Sequence, residues 1–158
     1  MKSAEKGGCI DPHGFDAGKL IKGKKRHILV DTLALLLHAL VTPADVQDRD
    51  GGLMLLATLF GQFPFLMKLF ADSAYAGPAF HDGLATIMPN MITEIVRRSD
   101  RAKGFVVLPK RWIVERTIGW LGRCRRLAND WENLNHNALT FVRLASIRLM
   151  LRKLCIHS

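Results

Sequence analysis

Cysteine is scarce. Cys9, Cys124 and Cys155 stand far apart, and no Cys-x-x-Cys pair occurs. That excludes a disulfide framework and a zinc site of ordinary spacing, and it suits a reducing compartment. Long unbroken apolar sequence is also missing. The most apolar stretch, residues 53–70, is interrupted by Gly61, Gln62, Pro64 and Lys68, which argues against a membrane span. No apolar segment follows the charges of Met1 to Gly8, so no signal peptide is expected there. Internal repeats and low-complexity tracts are absent, and the six histidines show no metal-ligand spacing. Acidic residues are few where basic ones gather: residues 101–158 hold 12 basic against 3 acidic side chains, equal to the entire net charge of +9.

What is present is a chain of 158 residues with 49% hydrophobic content, enough for one domain with a real core. A pI near 10.0 implies a polyanionic partner: nucleic acid first, an anionic membrane surface second. Because the excess sits in the last third, it points to one basic surface.

Residues 1–26 are Gly- and Lys-rich without periodicity and read as a mobile basic arm or loop. Residues 27–32 and 35–42 read as a hairpin turning at Leu33-Ala34, although their Leu and Ala content also permits a helix. Thr42 and Pro43 resemble a helix start. Residues 52–60 suit a short helix stopped by Pro64, and residues 66–71 a strand. Residues 73–86 suit a turn and short helix, and residues 91–98 another strand, followed by a loop. Residues 110–132 read as one helix with a buried stripe of Ile113, Thr117, Trp120, Cys124, Leu127 and Trp131. Residues 136–154 form a second amphipathic helix. The order indicates a mixed α/β domain with helices covering a sheet. The three tryptophans are expected to pack helices rather than to stack on bases.

Two carboxylates draw notice. Asp72 ends the apolar run "FLMKLFA" and is followed by small residues and Tyr75. An N-cap or turn Asp is the plain explanation, and a metal-binding carboxylate at the end of a strand is the other. Glu115 lies within the long helix, sharing a face with Arg111, Gly119, Gly122 and Arg126. Each glycine there costs about 1 kcal/mol relative to Ala. Such a bare face serves either close helix packing or close approach of a bulky ligand, and Arg111, Arg116, Arg123, Arg125 and Arg126 beside it could neutralise phosphates. An Arg111–Glu115 ion pair is the simpler account of Glu115. A strand-end acid and a helix acid could face each other and, with a third, hold two divalent ions for phosphodiester chemistry.

"FADSAYAG" together with "RWIVERTIGWLGRCRRLANDWE" resembles the DDE transposases of bacterial insertion sequences, which have a ribonuclease H-like core. "DAGKLIKGKKRHILVDTLALLLHALVTPADVQDRDG" resembles the segment preceding the family's second acid. The likeness runs from about residue 2 past the long helix, and its combination of motifs is specific. It implies that Asp72 is the second catalytic Asp and Glu115 the catalytic Glu, both ligands of Mg²⁺ or Mn²⁺. Tyr75 corresponds to the aromatic that often follows the second Asp, and Arg111 to the Arg of the Arg-x-x-x-Glu signature. A Lys often found seven residues after the Glu is here Gly122, with Arg123 next.

The first catalytic Asp is expected on a strand that precedes "HILVDT", and the sequence starts where that motif ends. The resemblance therefore implies an N-terminally truncated domain: an α/β, ribonuclease H-like mixed sheet flanked by helices, lacking its first, central strand. Asp31 is a poor replacement, being better explained as a turn residue. On this reading residues 1–26 are the arm and residues 27–158 a partial catalytic domain. The implied activity is metal-dependent cleavage at insertion-sequence ends and strand transfer into target DNA. Lys22, Lys24, Lys25 and Arg26, with the arginines from 111 to 126, would hold the DNA backbone. The family likeness further implies homo-oligomers, a bacterial cytoplasmic, nucleoid-associated setting and no membrane partner. A noncatalytic DNA-binding or regulatory fragment, or a pseudogene product, is the alternative, and an RNA-packaging module a third.

Overall fold

A computed structural model describes residues 11, 13–59, 61–96, 110–129 and 131–156, with the side chains of Ile21, Arg111 and Ile156 left out. Strand β1 (Gly14–Asp16) turns into β2 (Ile21–Val30), and β2 pairs with β3 (Leu36–Pro43). Helix α1 (Asp48–Ala57) follows, then β4 (Lys68–Ala71), a 3-10 turn (Ser73–Tyr75), α2 (Pro78–Ile87) and β5 (Ile92–Ile95). The last part holds α3 (Arg111–Gly122), a second 3-10 turn (Arg125–Leu127) and α4 (Asn135–Ile156).

The strands form two separate sheets among the described residues. One is antiparallel, ordered β1-β2-β3, with Gly14 opposite Gly23 and Lys24 opposite Pro43. The other is the parallel pair β4-β5, with Lys68 opposite Ile92 and Ala71 opposite Ile95. No strand joins the two among the described residues. This mixed α/β arrangement is compatible with a ribonuclease H-like fold.

Strand β2 organises both layers of the core because alternate side chains of a strand point to opposite faces. Ile28 packs with Ala39, Leu121, Leu127, Val142 and Ala145, the cluster under α3 and α4. Leu29 packs with Leu56, Leu59, Phe80 and Leu84, the cluster formed by α1 and α2. The same alternation sorts the polar residues before them. Lys24 and Arg26 reach toward the chain leading into α4, whereas Lys25 and His27 reach toward α1.

Several expected elements differ. Residues 14–26 are not an arm: they form β1 and most of β2, around a turn in which Asp16 Oδ1 accepts from the Gly18 and Lys19 amides at 3.0 and 3.1 Å. Apolar periodicity misses this strand because its buried positions include Lys24 and His27. Residues 1–10, including Cys9, lie outside the described residues. Thr42 and Pro43 end β3, and the helix begins later, at Asp48. The β5 ladder stops at Ile95, and Arg97, Arg98 and the following loop lie outside the described residues.

The long helix of 110–132 is broken. α3 stops at Gly122, and Cys124 takes an extended ψ of 113° before the 3-10 turn. The stripe still holds through Thr117 and Leu127, both buried, but Trp131 is 50% exposed. Side chains of β2 bond the carbonyls of the chain that follows the break. Arg26 donates to Leu127 O at 2.8 Å and Asn129 O at 3.4 Å, and Lys24 donates to Asn133 O at 2.7 Å and Glu132 O at 3.3 Å. Buried Lys24 and half-buried Arg26, matched to these carbonyls, satisfy both partners.

Candidate nucleic-acid interface

Asp72 follows the last residue of β4 and caps the 3-10 turn, its Oδ1 accepting from the Ala74 amide at 2.9 Å. The capping role and the strand-end position thus coincide. A carboxylate has several acceptor sites, so one amide does not exhaust it. Tyr75 ends the turn, packing edge-to-face on Phe80 with ring centroids 5.3 Å apart. Burial pushes its hydroxyl up to about 12, with the charges of Asp48 and Asp72 adding to the shift, so the phenol keeps its proton at neutral pH. A cleft of about 330 Å³ opens beside it, lined by Tyr75, Pro78, His81, Thr93 and Ile95 among others.

Helix α3 enters next to β4. Lys110, in a left-handed conformation, precedes it and places Nζ 3.6 Å from the centroid of the Phe70 ring, two residues before Asp72. Lys110 gave no signal in the sequence beyond its charge. Glu115 lies on the exposed side of α3, with Gly119 and Gly122 further along the same face. A Cβ built on either glycine meets nothing within 4 Å. Packing within the described residues therefore does not call for these glycines. Arg111 begins the helix, and its side chain lies outside the described residues.

The basic residues divide into two groups. Lys22, Arg123 and Arg125 are exposed. Five others, Lys24, Lys25, Arg26, Arg116 and Arg126, have internal partners. Lys24 is only 7% exposed and holds the carbonyls named above. Lys25 Nζ lies 2.9 Å from Asp16 Oδ2, 3.2 Å from Asp48 Oδ1 and 2.8 Å from Val46 O. Arg26 is committed to the chain at 127–129. Arg116 is sandwiched by Trp112 and Trp120, at 4.3 and 4.8 Å, and donates to Leu33 O at 3.4 Å. Arg126 pairs with Glu132 at 2.6 Å and lies over the Phe141 ring. The sequence showed a block of cations, and the fold uses five of them as struts. Exposed Trp131 joins Arg125 and Arg126 around an open cleft of about 440 Å³, a placement that the helical stripe hid.

Among the described residues the acids do not assemble a divalent-metal centre. No group of three or more His, Cys, Asp or Glu side chains able to hold a metal ion occurs among the described residues. Asp31 is a turn residue, its Oδ1 accepting from Leu33 and Leu35 amides at 2.8 Å each. The donor chemistry of Asp72 and Glu115 suits a hard cation, but two carboxylates fall short of a two-ion site. No helix among the described residues is long and apolar enough to cross a membrane.

Neither the curated proteins nor the solved structures include a match to this chain. A family model described as the transposase DDE domain matches residues 3–150. The match takes in both sheets, Asp72, Glu115 and most of α4, and the chain belongs to the transposase DDE domain family.

Proposed function

We propose that this chain is the DNA-handling part of a DDE transposase domain, with the outer face of α3 as its contact to the DNA backbone. The observation that carries this reading is the bare patch at Gly119 and Gly122, open to solvent and continuous with Glu115. Glycine inside a helix is costly, and among the described residues no packing partner accounts for Gly119. A phosphate backbone approaching the helix closely does account for it. Exposed Arg123 and Arg125 supply charge at the same end, and Lys22 on β2 is a further exposed cation.

Transposase function follows from the family, whose chemistry generally uses divalent metal ions. Asp72 and Glu115 are the residues that would hold Mg²⁺ or Mn²⁺ and activate the attacking oxygen, as the second acid and the Glu of the triad. Insertion-sequence ends and target DNA are the substrates of this reading. That no group of three metal-ligating side chains gathers among the described residues favours a second reading, a noncatalytic DNA-binding or regulatory chain. Incubating the chain with labelled duplex carrying its element ends and Mn²⁺ separates the two. Cleavage that disappears in Asp72→Asn and Glu115→Gln supports the enzyme. Retarded but uncut DNA, with affinity unchanged by those substitutions, supports the regulator. No retardation at low salt defeats both.

A further inference from the structure

Helix α4 is apolar on two opposite sides. Its inner side sets Ala138, Val142 and Ala145 against Ala39, Leu121 and Leu127 in the core. Its outer side carries Leu144 at 55% exposure, Ile147 at 51%, Leu151 at 56% and Leu154 at 71%. Their steps of three, four and three residues place them in an arc roughly 80° wide, centred about 160° from Val142. The outer face of a covering helix is ordinarily polar. Here it repeats the seam of a coiled coil. The helix is held in place at both ends: Asp11 accepts from the Asn135 amide at its start, and Lys153 donates to Leu33 O near its end. The outer stripe therefore cannot turn inward without breaking these ties and the core.

The borders of the stripe are basic. Arg143 flanks one side, and Arg148 and Arg152 the other, all exposed. A second copy laid on this stripe would set arginine against arginine in either orientation. A phosphate backbone would pair with the arginines but would cover the four aliphatic side chains with charge. The stripe bears no aromatic residue of the kind that anchors interfacial helices. We propose that the outer face of α4 docks a helix of a partner protein, with an apolar seam bordered by Asp and Glu. Apolar contact along Leu144, Ile147, Leu151 and Leu154 supplies affinity, and the arginine borders select acidic flanks. This inference does not rest on the DNA reading, since it uses the opposite chemistry on another helix.

A four-heptad synthetic peptide with Leu at the seam and Glu on both borders is the probe, and its Lys-bordered twin is the control. Anisotropy of the labelled peptides, titrated with the whole chain, is expected to show the Glu peptide binding at least about tenfold more tightly. The doubly substituted chain, Ile147→Lys with Leu151→Lys, is expected to lose that binding with its circular dichroism and melting temperature unchanged. If that variant unfolds, Leu154→Lys alone, at the most exposed position, serves in its place. Equal binding of the two peptides, or none, overturns the proposal. So does a concentration-dependent dimer in sedimentation that the substitutions dissociate, or flotation with phosphatidylserine vesicles that they abolish.

Discussion

Lys24 and Arg125 look alike in the sequence and act differently in the fold. Lys24 is buried against the carbonyls of Glu132 and Asn133. Lys24→Met keeps the volume but strands those acceptors, and chemical denaturation is expected to show a loss of about 1–3 kcal/mol. Its DNA affinity, measured below the unfolding transition, should match that of the unaltered chain. Arg123→Ala and Arg125→Ala should do the reverse. Each leaves stability nearly unchanged and lowers the slope of log affinity against log salt by about 0.9 for every phosphate no longer neutralised. This division was hidden from the sequence because the partners of Lys24 are backbone carbonyls more than 100 positions away. Asp72 was legible, since an apolar run ending in an acid and small residues marks a strand end. Its capping bond to Ala74 and its place at the end of β4 are two uses of one position.

Close packing of α1 against β2 depends on glycine. A Cβ on Gly51 would lie 2.2 Å from the His27 ring, and one on Gly52 would lie 2.6 Å from Tyr75. His27 is buried and bonded to Thr42 at 2.9 Å, so its ring has little room to move. Gly51→Ala is therefore expected to cost about 1–3 kcal/mol by overpacking, read from a urea titration. Gly119→Ala on α3 should do the opposite and raise stability by up to about 1 kcal/mol, because its Cβ meets open space. The two pairs of helical glycines look equivalent in sequence, and only their neighbours separate them. Element types were largely readable: β3, α2, β4 and α4 lie close to their expected places, although α4 is apolar on two sides and not the amphipathic helix expected. The break after Gly122 was not readable, because the 3-10 turn returns Leu127 to the buried side and preserves the apolar spacing. Nor was β1, whose three residues carry no alternating pattern and owe their pairing to the Asp16 turn.

The two sheets meet through helices and side chains, and β2 carries much of that connection with polar residues. Stability should consequently follow pH on the acid side. Burial lowers the proton affinity of His27, partly opposed by Asp48, and burial with the charge of Arg143 lowers that of His38. Folded values below the usual one of about 6.5 mean that the unfolded chain binds protons first. Their contribution is intact above about pH 6.5 and is lost as pH falls through the folded values. Urea midpoints should decline over that window, and His27→Gln should flatten part of the decline. Lys25 has the opposite sign: burial opposes its charge, but the bonds from Asp16 and Asp48 outweigh it and raise its proton affinity. That contribution is present below about pH 10.5 and is lost only as pH rises through the folded value. The central claim for the whole molecule is that DNA lies against the open glycine face of α3. The most direct test compares duplex affinity of the unaltered chain with that of Gly119→Leu, by anisotropy at fixed salt. The account predicts a loss of at least about tenfold with equal or higher melting temperature, because Leu favours the helix and fills the space left for the backbone. Unchanged affinity in a folded Gly119→Leu chain would contradict it.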